Sequence, residues 1–217
     1  MPFPVVLFDV DGTLLDTREF VHAAFEHAFR QFGVEPPARD VLAPHIGRPL
    51  EQIYAEFGSL ERAAGLVEAH RGFQVENMHL SVIYPGTAEV LELLRSEGVR
   101  MAAVTSRSRR SSLATLDQAG IAAYFEAVVS AEDTPALKPD PAPLLLALAR
   151  MGREPLPGAQ AMVGDTHNDV DAGKAIGAFT VGATFGFHGP DVARAGPDAL
   201  IHDIRELPAA LGHRASP

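Results

Sequence analysis

The sequence predicts an α/β protein, with a parallel β-sheet covered by helices and interrupted once by a purely helical segment. Short apolar runs of strand length recur along the chain, and amphipathic helical patterns lie between the later ones. Such alternation is typical of βαβ units with right-handed crossovers. Residues 17–81 break the alternation because they hold helical patterns and no strand-like run.

Five apolar runs are the predicted strands. The first, residues 4–8, is an unbroken apolar run that leads directly into Asp9. A continuous run of this kind indicates a strand that is buried on both faces, as in a parallel sheet. The other four predicted strands follow at residues 99–105, 127–130, 161–164 and 179–182.

Four helices are predicted in the same part of the chain, and each ends at or just before a glycine. Glycine often ends a helix because it adopts the left-handed backbone conformation without strain. These helices are predicted at residues 87–97, 111–118, 141–151 and 169–176.

Residues 17–81, the helical insert, are predicted to form a small all-helical domain. Apolar side chains between Phe20 and Phe32 recur at helical spacing. We therefore predict two domains, an α/β core domain from residues 1–16 and 82–217, and the helical insert between them. Further helical stretches are predicted around residues 49–57, 59–70 and 71–79.

The composition excludes several classes of site. The chain has no cysteine, so disulfides, thiolate catalysis and thiolate metal sites are excluded. The net charge of −10 argues against a broad nucleic-acid-binding surface. No apolar run approaches the roughly 20 residues of a membrane span, and no signal peptide is visible. We therefore expect a cytoplasmic protein without a nucleic-acid or membrane partner.

Four groups of polar residues mark a predicted site at one edge of the sheet. Ligands of open α/β sheets bind beyond the carboxyl ends of the strands, at the point where the strand order reverses. For the groups to converge there, strands one, two and four must be neighbours, which gives a Rossmann-like three-layer core with strand order 5-4-1-2-3. The four groups are Asp9 with Asp11, Thr105 with Ser106, Lys138, and Asp165 with Asp169.

Asp9 and Asp11 stand two residues apart at the end of the first predicted strand. In an extended chain their carboxylates point the same way, and their crowding favours a hard cation such as Mg²⁺. One carboxylate can then attack phosphorus while the other handles the proton of the leaving oxygen. Gly12 permits a sharp turn, and its amide can face an anion. The alternative, an Asp-Gly hairpin turn, is disfavoured by the buried strand before it.

Thr105, Ser106 and Lys138 are the predicted phosphate ligands. A hydroxyl and backbone amides at a helix N-terminus form a phosphate-binding site, although simple capping of the helix is the alternative. Lys138 is one of only two lysines among 18 basic residues, and the prolines of Leu-Lys-Pro-Asp-Pro restrict its backbone. The alternative for Lys138 is an exposed loop position. Arg107, Arg109 and Arg110 make the mouth of the predicted site positive, and a solvated helix start is the alternative for them.

Asp165 and Asp169 lie four residues apart, near the start of one predicted helix. Their carboxylates can complete an oxygen shell for Mg²⁺. Alternatively, they cap the helix N-terminus and complement its dipole. The neighbouring Asp171 is assigned to the surface.

These motifs as a set resemble those of the haloacid dehalogenase superfamily, in order and spacing, over nearly the whole chain. The helical insert resembles the small helical cap of the phosphoglycolate-phosphatase-like branch. The motifs that carry the resemblance are Asp-Val-Asp-Gly-Thr at 9–13, Thr-Ser at 105–106, Lys-Pro at 138–139 and Gly-Asp-Thr-His-Asn-Asp at 164–169.

The resemblance implies a role for each of these residues. It implies that Asp9 is the nucleophile and that Asp11 is the general acid and base. It also implies that Thr105 and Lys138 bind phosphate. The implied ligands of Mg²⁺ are Asp9, Asp165 and the backbone carbonyl of Asp11, supported by Asp169.

The resemblance favours a Mg²⁺-dependent phosphatase that acts on a small phosphomonoester, such as phosphoglycolate or a sugar phosphate, through a phosphorylated aspartate. Dehalogenases of the superfamily lack the aspartate equivalent to Asp11. Phosphonate hydrolases need a cap lysine, and residues 17–81 contain none. A sugar phosphomutase of the β-phosphoglucomutase type stays the alternative, because its cap histidine aligns with Val21, next to His22. A catalytically silent binding protein of the same fold is a second alternative.

Arg48 is the candidate for substrate selection. It lies in Ile46-Gly47-Arg48-Pro49, where related caps have a Gly-x-Pro turn that faces the active site. Arg48 could contact a second anionic group of the substrate, or it could be an exposed loop arginine. The expected partner is a small phosphorylated metabolite, and the protein is expected to be a monomer or a weak homodimer.

Overall fold

A six-stranded parallel sheet forms the centre of the fold. The computed structural model describes residues 2–213, so Met1 and residues 214–217 of the predicted core domain lie outside the described part. The strands of the described part are β1 (Val5–Phe8), β2 (Leu15–Asp16), β3 (Val82–Ile83), β4 (Arg100–Val104), β5 (Ala127–Val129), β6 (Gln160–Gly164), β7 (Phe179–Ala183) and β8 (Ala199–Ile201).

The main sheet has the order β5-β4-β1-β6-β7-β8, and all its neighbouring strands are parallel. The five predicted strands are present in the predicted relative order, with β1 between β4 and β6. The prediction of a five-stranded sheet is wrong by one strand, because β8 pairs with β7 at the edge. With three residues, β8 is too short to show a hydrophobic period in the sequence.

Helices cover both faces of this sheet. The described helices are α1 (Arg18–Gln31), α2 (Arg39–Leu42), α3 (Leu50–Phe57), α4 (Ala63–Glu76), α5 (Thr87–Ser96), α6 (Arg109–Gln118), α7 (Ala142–Arg150), α8 (His167–Ala175) and α9 (Leu207–Ala210). Residues from α5, α6 and α9 join one buried apolar cluster, and residues from α7 and α8 join another. Within residues 2–213, no helix is both long enough and apolar enough to cross a bilayer.

The position of β1 between two buried clusters explains why all four of its residues are apolar. Val6 and Phe8 point into the first cluster, while Val5 and Leu7 point into the second. Each of the four side chains is at most 4% exposed. A strand covered on both faces needs apolar residues at every position, so the pattern does not alternate.

The helical insert holds a third apolar cluster of its own, built mainly from α1, α3 and α4. Helices α1 and α4 pack against each other along their length. The predicted break between 59–70 and 71–79 is wrong, because α4 runs through residue 71 without interruption. Packing against α1 stabilises this helix despite Gly65 and Gly72, which lower its intrinsic propensity.

The chain enters and leaves the helical insert at adjacent points. Strand β2 precedes the insert and pairs antiparallel with β3, which follows it. The backbone N–H of Tyr84 also donates to the carbonyl of Leu14 at 3.1 Å. The division into an α/β core domain and a helical domain stays a prediction, which this pairing supports.

The insert cluster allows a direct test with two phenylalanines of one segment. Phe29 is fully buried, whereas Phe32 is 36% exposed. Phe29→Ala should lower the free energy of unfolding by about 3–5 kcal/mol, because it leaves a cavity among packed rings. Phe32→Ala should lower it by about 1 kcal/mol or less. Chemical denaturation of both variants would measure this difference, and equal losses would contradict the described packing.

Candidate active site

Three strands of the sheet end at one site. Asp9 follows β1, Thr105 follows β4 and Asp165 follows β6, and these three strands are neighbours. Asp9 is 6% exposed, Thr105 is 3% exposed and Asp165 is fully buried. The structure therefore brings together side chains that are far apart in the sequence, as the strand order requires.

Lys138 reaches into this site from the loop after β5. Its Nζ lies 2.6 Å from Asp9 Oδ1 and 2.7 Å from Asp169 Oδ1, and it donates to the carbonyl of Val104 at 2.8 Å. The lysine is 6% exposed, so the alternative of an exposed loop position is wrong. Burial alone lowers the pKa of Lys138, but the charges of Asp169 and Asp9 outweigh it and hold the pKa above its usual range. Lys138 is therefore a fixed positive charge.

Asp165 lies beside a tight backbone contact that involves Gly12. The backbone N–H of Phe187 donates to Asp165 Oδ2 at 2.6 Å, and the Thr13 hydroxyl donates to Oδ1 at 3.4 Å. Gly12 has a φ of +81°, and a Cβ at this position would collide with the Asp165 carboxylate. Gly12 is thus required both by its backbone conformation and by the space that Asp165 occupies.

Asp169 serves two purposes at the start of α8. Its Oδ2 accepts hydrogen bonds from the backbone N–H of Thr166 at 3.0 Å and from the Thr166 hydroxyl at 2.7 Å. Together with the Thr166 cap this forms a capping box, so the capping alternative is confirmed for Asp169. Its Oδ1 faces Lys138. Asp171 lies exposed on the same helix, as predicted.

One oxygen each from Asp9, Asp165 and Asp169 lies within 4.8 Å of the other two, close enough to hold one metal ion. Burial raises the pKa of Asp9 to about 7, against the opposing charge of Lys138. Burial and the charges of Asp9 and Asp169 also raise the pKa of Asp165. Three buried carboxylates around one lysine leave an excess of negative charge, and oxygen donors of this kind suit Mg²⁺. The residues therefore fit a divalent cation.

Asp11 lies outside that cluster and pairs with Arg107. Arg107 Nε is 3.0 Å from Asp11 Oδ2. The same guanidinium donates to the hydroxyls of Thr115 at 2.7 Å and Ser81 at 3.2 Å, and it lies 4.3 Å from the Phe20 ring centre. Arg107 is 7% exposed, so the alternative of a solvated helix start is wrong for this residue. No sequence pattern indicates this pairing, because Arg107 resembles the exposed Arg109 and Arg110 that follow it.

Thr105 and Ser106 do not cap helix α6. Ser108 is the N-cap, and its side chain accepts from the backbone N–H of Ser111 at 3.4 Å. Thr105 Oγ1 accepts from the backbone N–H of Arg107 at 3.1 Å. The capping alternative is therefore wrong for both residues, and both line the cavity described next.

A cavity of about 120 Å³ lies between the edge of the sheet and the helical insert. The core side contributes Asp9, Asp11 and Lys138, and the insert contributes helix α1 through Val21 and Phe25. His22 is buried but does not line the cavity. Further insert residues at the wall are Ile46, Arg48, Leu50, Glu51, Ile53, His70, Arg71 and Gln74.

Comparison with known proteins identifies the family. A family model described as haloacid dehalogenase-like hydrolase matches residues 6–183. The chain belongs to this family. The hydrolase is 34% identical to the probable phosphatase IndB of Dickeya dadantii, over 95% of this chain and 93% of that protein.

Two further curated relatives have a similar degree of identity. A phosphoglycolate phosphatase of Pseudomonas fluorescens is 32% identical over 94% of this chain and 78% of that protein. The pyrophosphatase PpaX of Bacillus velezensis is 33% identical over 93% of each chain. A solved structure described as a predicted phosphoglycolate phosphatase from Haemophilus somnus has a TM-score of 0.88 at 24% identity, covering 97% and 98% of the two chains. This last similarity supports the fold.

The hydrolase has a second site contact that the sequence motifs did not indicate. The loop after β7 supplies the Phe187 N–H that bonds to Asp165, and a Cβ at Gly186 would collide with the same carboxylate. Gly186 was a weak signal because glycine also occurs in ordinary loops. The close approach depends on how β6 and β7 pair, which the local sequence does not reveal.

The raised pKa of Asp9 predicts how the stability of the metal-free hydrolase depends on pH. Folding raises the pKa of Asp9 from 3.8 to about 7. Between pH 3.8 and about pH 7, folded Asp9 therefore keeps a proton that unfolded Asp9 has lost. The free energy of unfolding should therefore fall as pH rises through this window, by up to about 4 kcal/mol.

Denaturation in EDTA at several pH values would measure this slope. Asp9→Asn removes the titrating group and should reduce the fall between pH 4 and pH 7. An Asp9→Asn variant with the same slope as the parent protein would show that Asp9 does not titrate in this way.

Proposed function

We propose that the hydrolase is a Mg²⁺-dependent phosphatase that cleaves a small phosphomonoester through a phosphorylated Asp9. The observation that carries this proposal is the position of Asp9 between Lys138 and the carboxylate cluster, at the floor of a cavity. The word phosphatase in the names of the curated relatives supports this class of hydrolysis.

Asp9 is the proposed nucleophile. Its Oδ1 accepts from Lys138, whereas Oδ2 accepts no hydrogen bond from the described residues, and Asp9 lines the cavity. In the first step an Asp9 oxygen bonds to phosphorus as the bond from phosphorus to the leaving oxygen breaks. In the second step water attacks phosphorus, and the Asp9 carboxylate and inorganic phosphate are released.

Asp11 is the proposed general acid and base. Arg107 holds Oδ2, while Oδ1 has no hydrogen-bond partner in the described part of the chain. Asp11 would give a proton to the leaving oxygen in the first step and take one from water in the second. Arg107 would act through Asp11 as a positioning residue, since its guanidinium is itself held by Thr115 and Ser81.

The phosphoryl group would be bound by residues around Asp9. Lys138 offers a buried positive charge, and Thr105 and Ser106 follow the neighbouring strand β4 and line the same cavity. The backbone at Gly12 can approach closely because it carries no side chain. Fixed donors and a fixed charge stabilise the charge that develops on the transferring group without reorganisation.

The proposed metal ligands are Asp9, Asp165 and the backbone carbonyl of Asp11, with Asp169 in support. When bound, Mg²⁺ would offset the excess negative charge of the carboxylates and withdraw charge from the phosphoryl oxygens. Asp169 would keep Lys138 in place through its Oδ1 while its Oδ2 caps helix α8.

The phosphomutase alternative has less support. It requires a proton-transferring side chain from α1 in the cavity, and the residue of α1 at that position is Val21. His22 does not line the cavity, and burial, with the charge of Arg39, lowers its pKa. A silent binding protein has no supporting observation, since every proposed catalytic position holds a reactive side chain.

The metal requirement gives the first test of this proposal. The protein should hydrolyse p-nitrophenyl phosphate with Mg²⁺, and EDTA should abolish the activity. Asp165→Asn should raise the Mg²⁺ concentration for half-maximal activity by at least about tenfold, because it removes an anionic ligand. Asp171→Asn removes an equal charge from the exposed face of α8 and should leave that concentration unchanged. Activity that is indifferent to EDTA would contradict the metal role.

Substitutions of Asp9 and Asp11 should have different effects on turnover, which gives a second test. Asp9→Asn should abolish turnover and leave folding intact, because the attacking oxygen is lost. Asp11→Asn should impair turnover less for p-nitrophenyl phosphate than for an alkyl phosphate, because p-nitrophenolate needs little protonation.

A structure with beryllium fluoride and Mg²⁺ would identify the nucleophile directly. Beryllium fluoride should bond to an oxygen of Asp9, where it mimics the phosphorylated aspartate. A complex bonded to Asp11, or phosphorylation of another residue during turnover, would overturn the assignment.

A further inference from the structure

The wall of the cavity that faces away from the sheet is largely apolar. Its apolar side chains are Val21, Phe25, Ile46, Leu50 and Ile53, all from the helical insert. A phosphate bound at Asp9 would direct its leaving group toward this wall. An anionic leaving group there would lose water without gaining a partner from these five residues, which is unfavourable.

Positive charge at this wall comes from two arginines of the insert, and each is already paired. Arg48 Nη1 lies 3.1 Å from Glu56 Oε2, and Arg71 Nη2 lies 3.1 Å from Glu51 Oε1. These exposed pairs add little to stability, but each glutamate cancels the field of its arginine. Among the described residues, the third arginine of the cavity is Arg107, which pairs with Asp11.

The remaining polar groups of the wall are neutral. His70 Nδ1 is 2.8 Å from the Tyr54 hydroxyl, and His70 Nε2 is 3.0 Å from Gln74 Nε2. Burial, with the charges of Arg107 and Arg71, lowers the pKa of His70 to about 3, so the ring is uncharged at neutral pH. The other end of the Gln74 amide makes no hydrogen bond with the described part of the chain. It is a neutral partner for a hydroxyl group.

We infer that this enzyme selects phosphomonoesters whose leaving group is an alcohol without a charged substituent. Glu51 and Glu56 disfavour leaving groups that carry a carboxylate or a phosphate, because they neutralise Arg71 and Arg48. This inference rests on the proposed phosphatase function. It makes the two glutamates specificity-determining residues, although neither touches the reacting atoms.

Two esters that differ only at the far end of the leaving group test the selection. In 2-hydroxyethyl phosphate a hydroxymethyl group replaces the carboxylate of 2-phosphoglycolate. With Mg²⁺ present, kcat/KM for 2-hydroxyethyl phosphate should exceed that for 2-phosphoglycolate by at least about tenfold, because an unpaired anion meets the apolar wall.

Charge-removing variants test the role of the glutamates. Glu56→Gln and Glu51→Gln should each raise the ratio of kcat/KM for 2-phosphoglycolate to that for 2-hydroxyethyl phosphate, by roughly three- to tenfold. Glu68→Gln is the matched control. Glu68 is exposed on α4 and has no ion pair within residues 2–213, so its variant removes the same charge from the insert and should not change the ratio.

The outcomes separate this inference from the function on which it rests. If the enzyme hydrolyses p-nitrophenyl phosphate but uses 2-phosphoglycolate as well as 2-hydroxyethyl phosphate, the inference is overturned and the phosphatase function stands. It is also overturned if Glu51→Gln and Glu56→Gln shift the ratio no more than Glu68→Gln does. Failure to hydrolyse any of the three esters with Mg²⁺ would overturn both.

Discussion

The position of Lys138 is the constraint on which the site depends. Its ammonium group is buried between Asp9 and Asp169, and it also bonds to the carbonyl of Val104. A buried charge is tolerable only when partners surround it, so the ends of β1 and β4 and the start of α8 must meet at one point. Within residues 2–213, the same arrangement leaves Asp165 without an ion pair. The excess negative charge that suits a metal ion is therefore a consequence of how one lysine is shared.

A single loop connects this site to the junction with the helical insert. The carbonyl of Phe185 accepts from Arg18 at 2.5 Å and from the Tyr84 hydroxyl at 3.3 Å, on either side of the insert. Two residues further on, the N–H of Phe187 bonds to Asp165. The loop after β7 thus contacts both ends of the insert and also the proposed metal ligand Asp165. The position of the insert therefore depends on the same loop as the geometry of the site.

The sheet and the helical insert contribute different parts of the proposed function. The strand ends carry the charged groups for phosphoryl transfer, because the carboxyl edge of a parallel sheet brings several chain segments to one place. The insert carries an apolar wall and two arginines that are paired with glutamates, and we infer that these select the leaving group. Arg107 links the two layers, since it contacts Asp11 in the core and the Phe20 ring in the insert.

The sequence by itself determined the class of fold, the positions of five strands within a few residues, and the carboxylates that follow those strands. These features are local, because periodicity and strand-end motifs are written in neighbouring residues. Tertiary structure alone decided which charges meet. Lys138 and Asp9 are 129 residues apart, and the partners of Arg107 come from three other segments. The sequence also failed to show β8, the Phe187 contact and the pairing of Arg48 with Glu56, since each depends on distances that are set only when separate elements pack together.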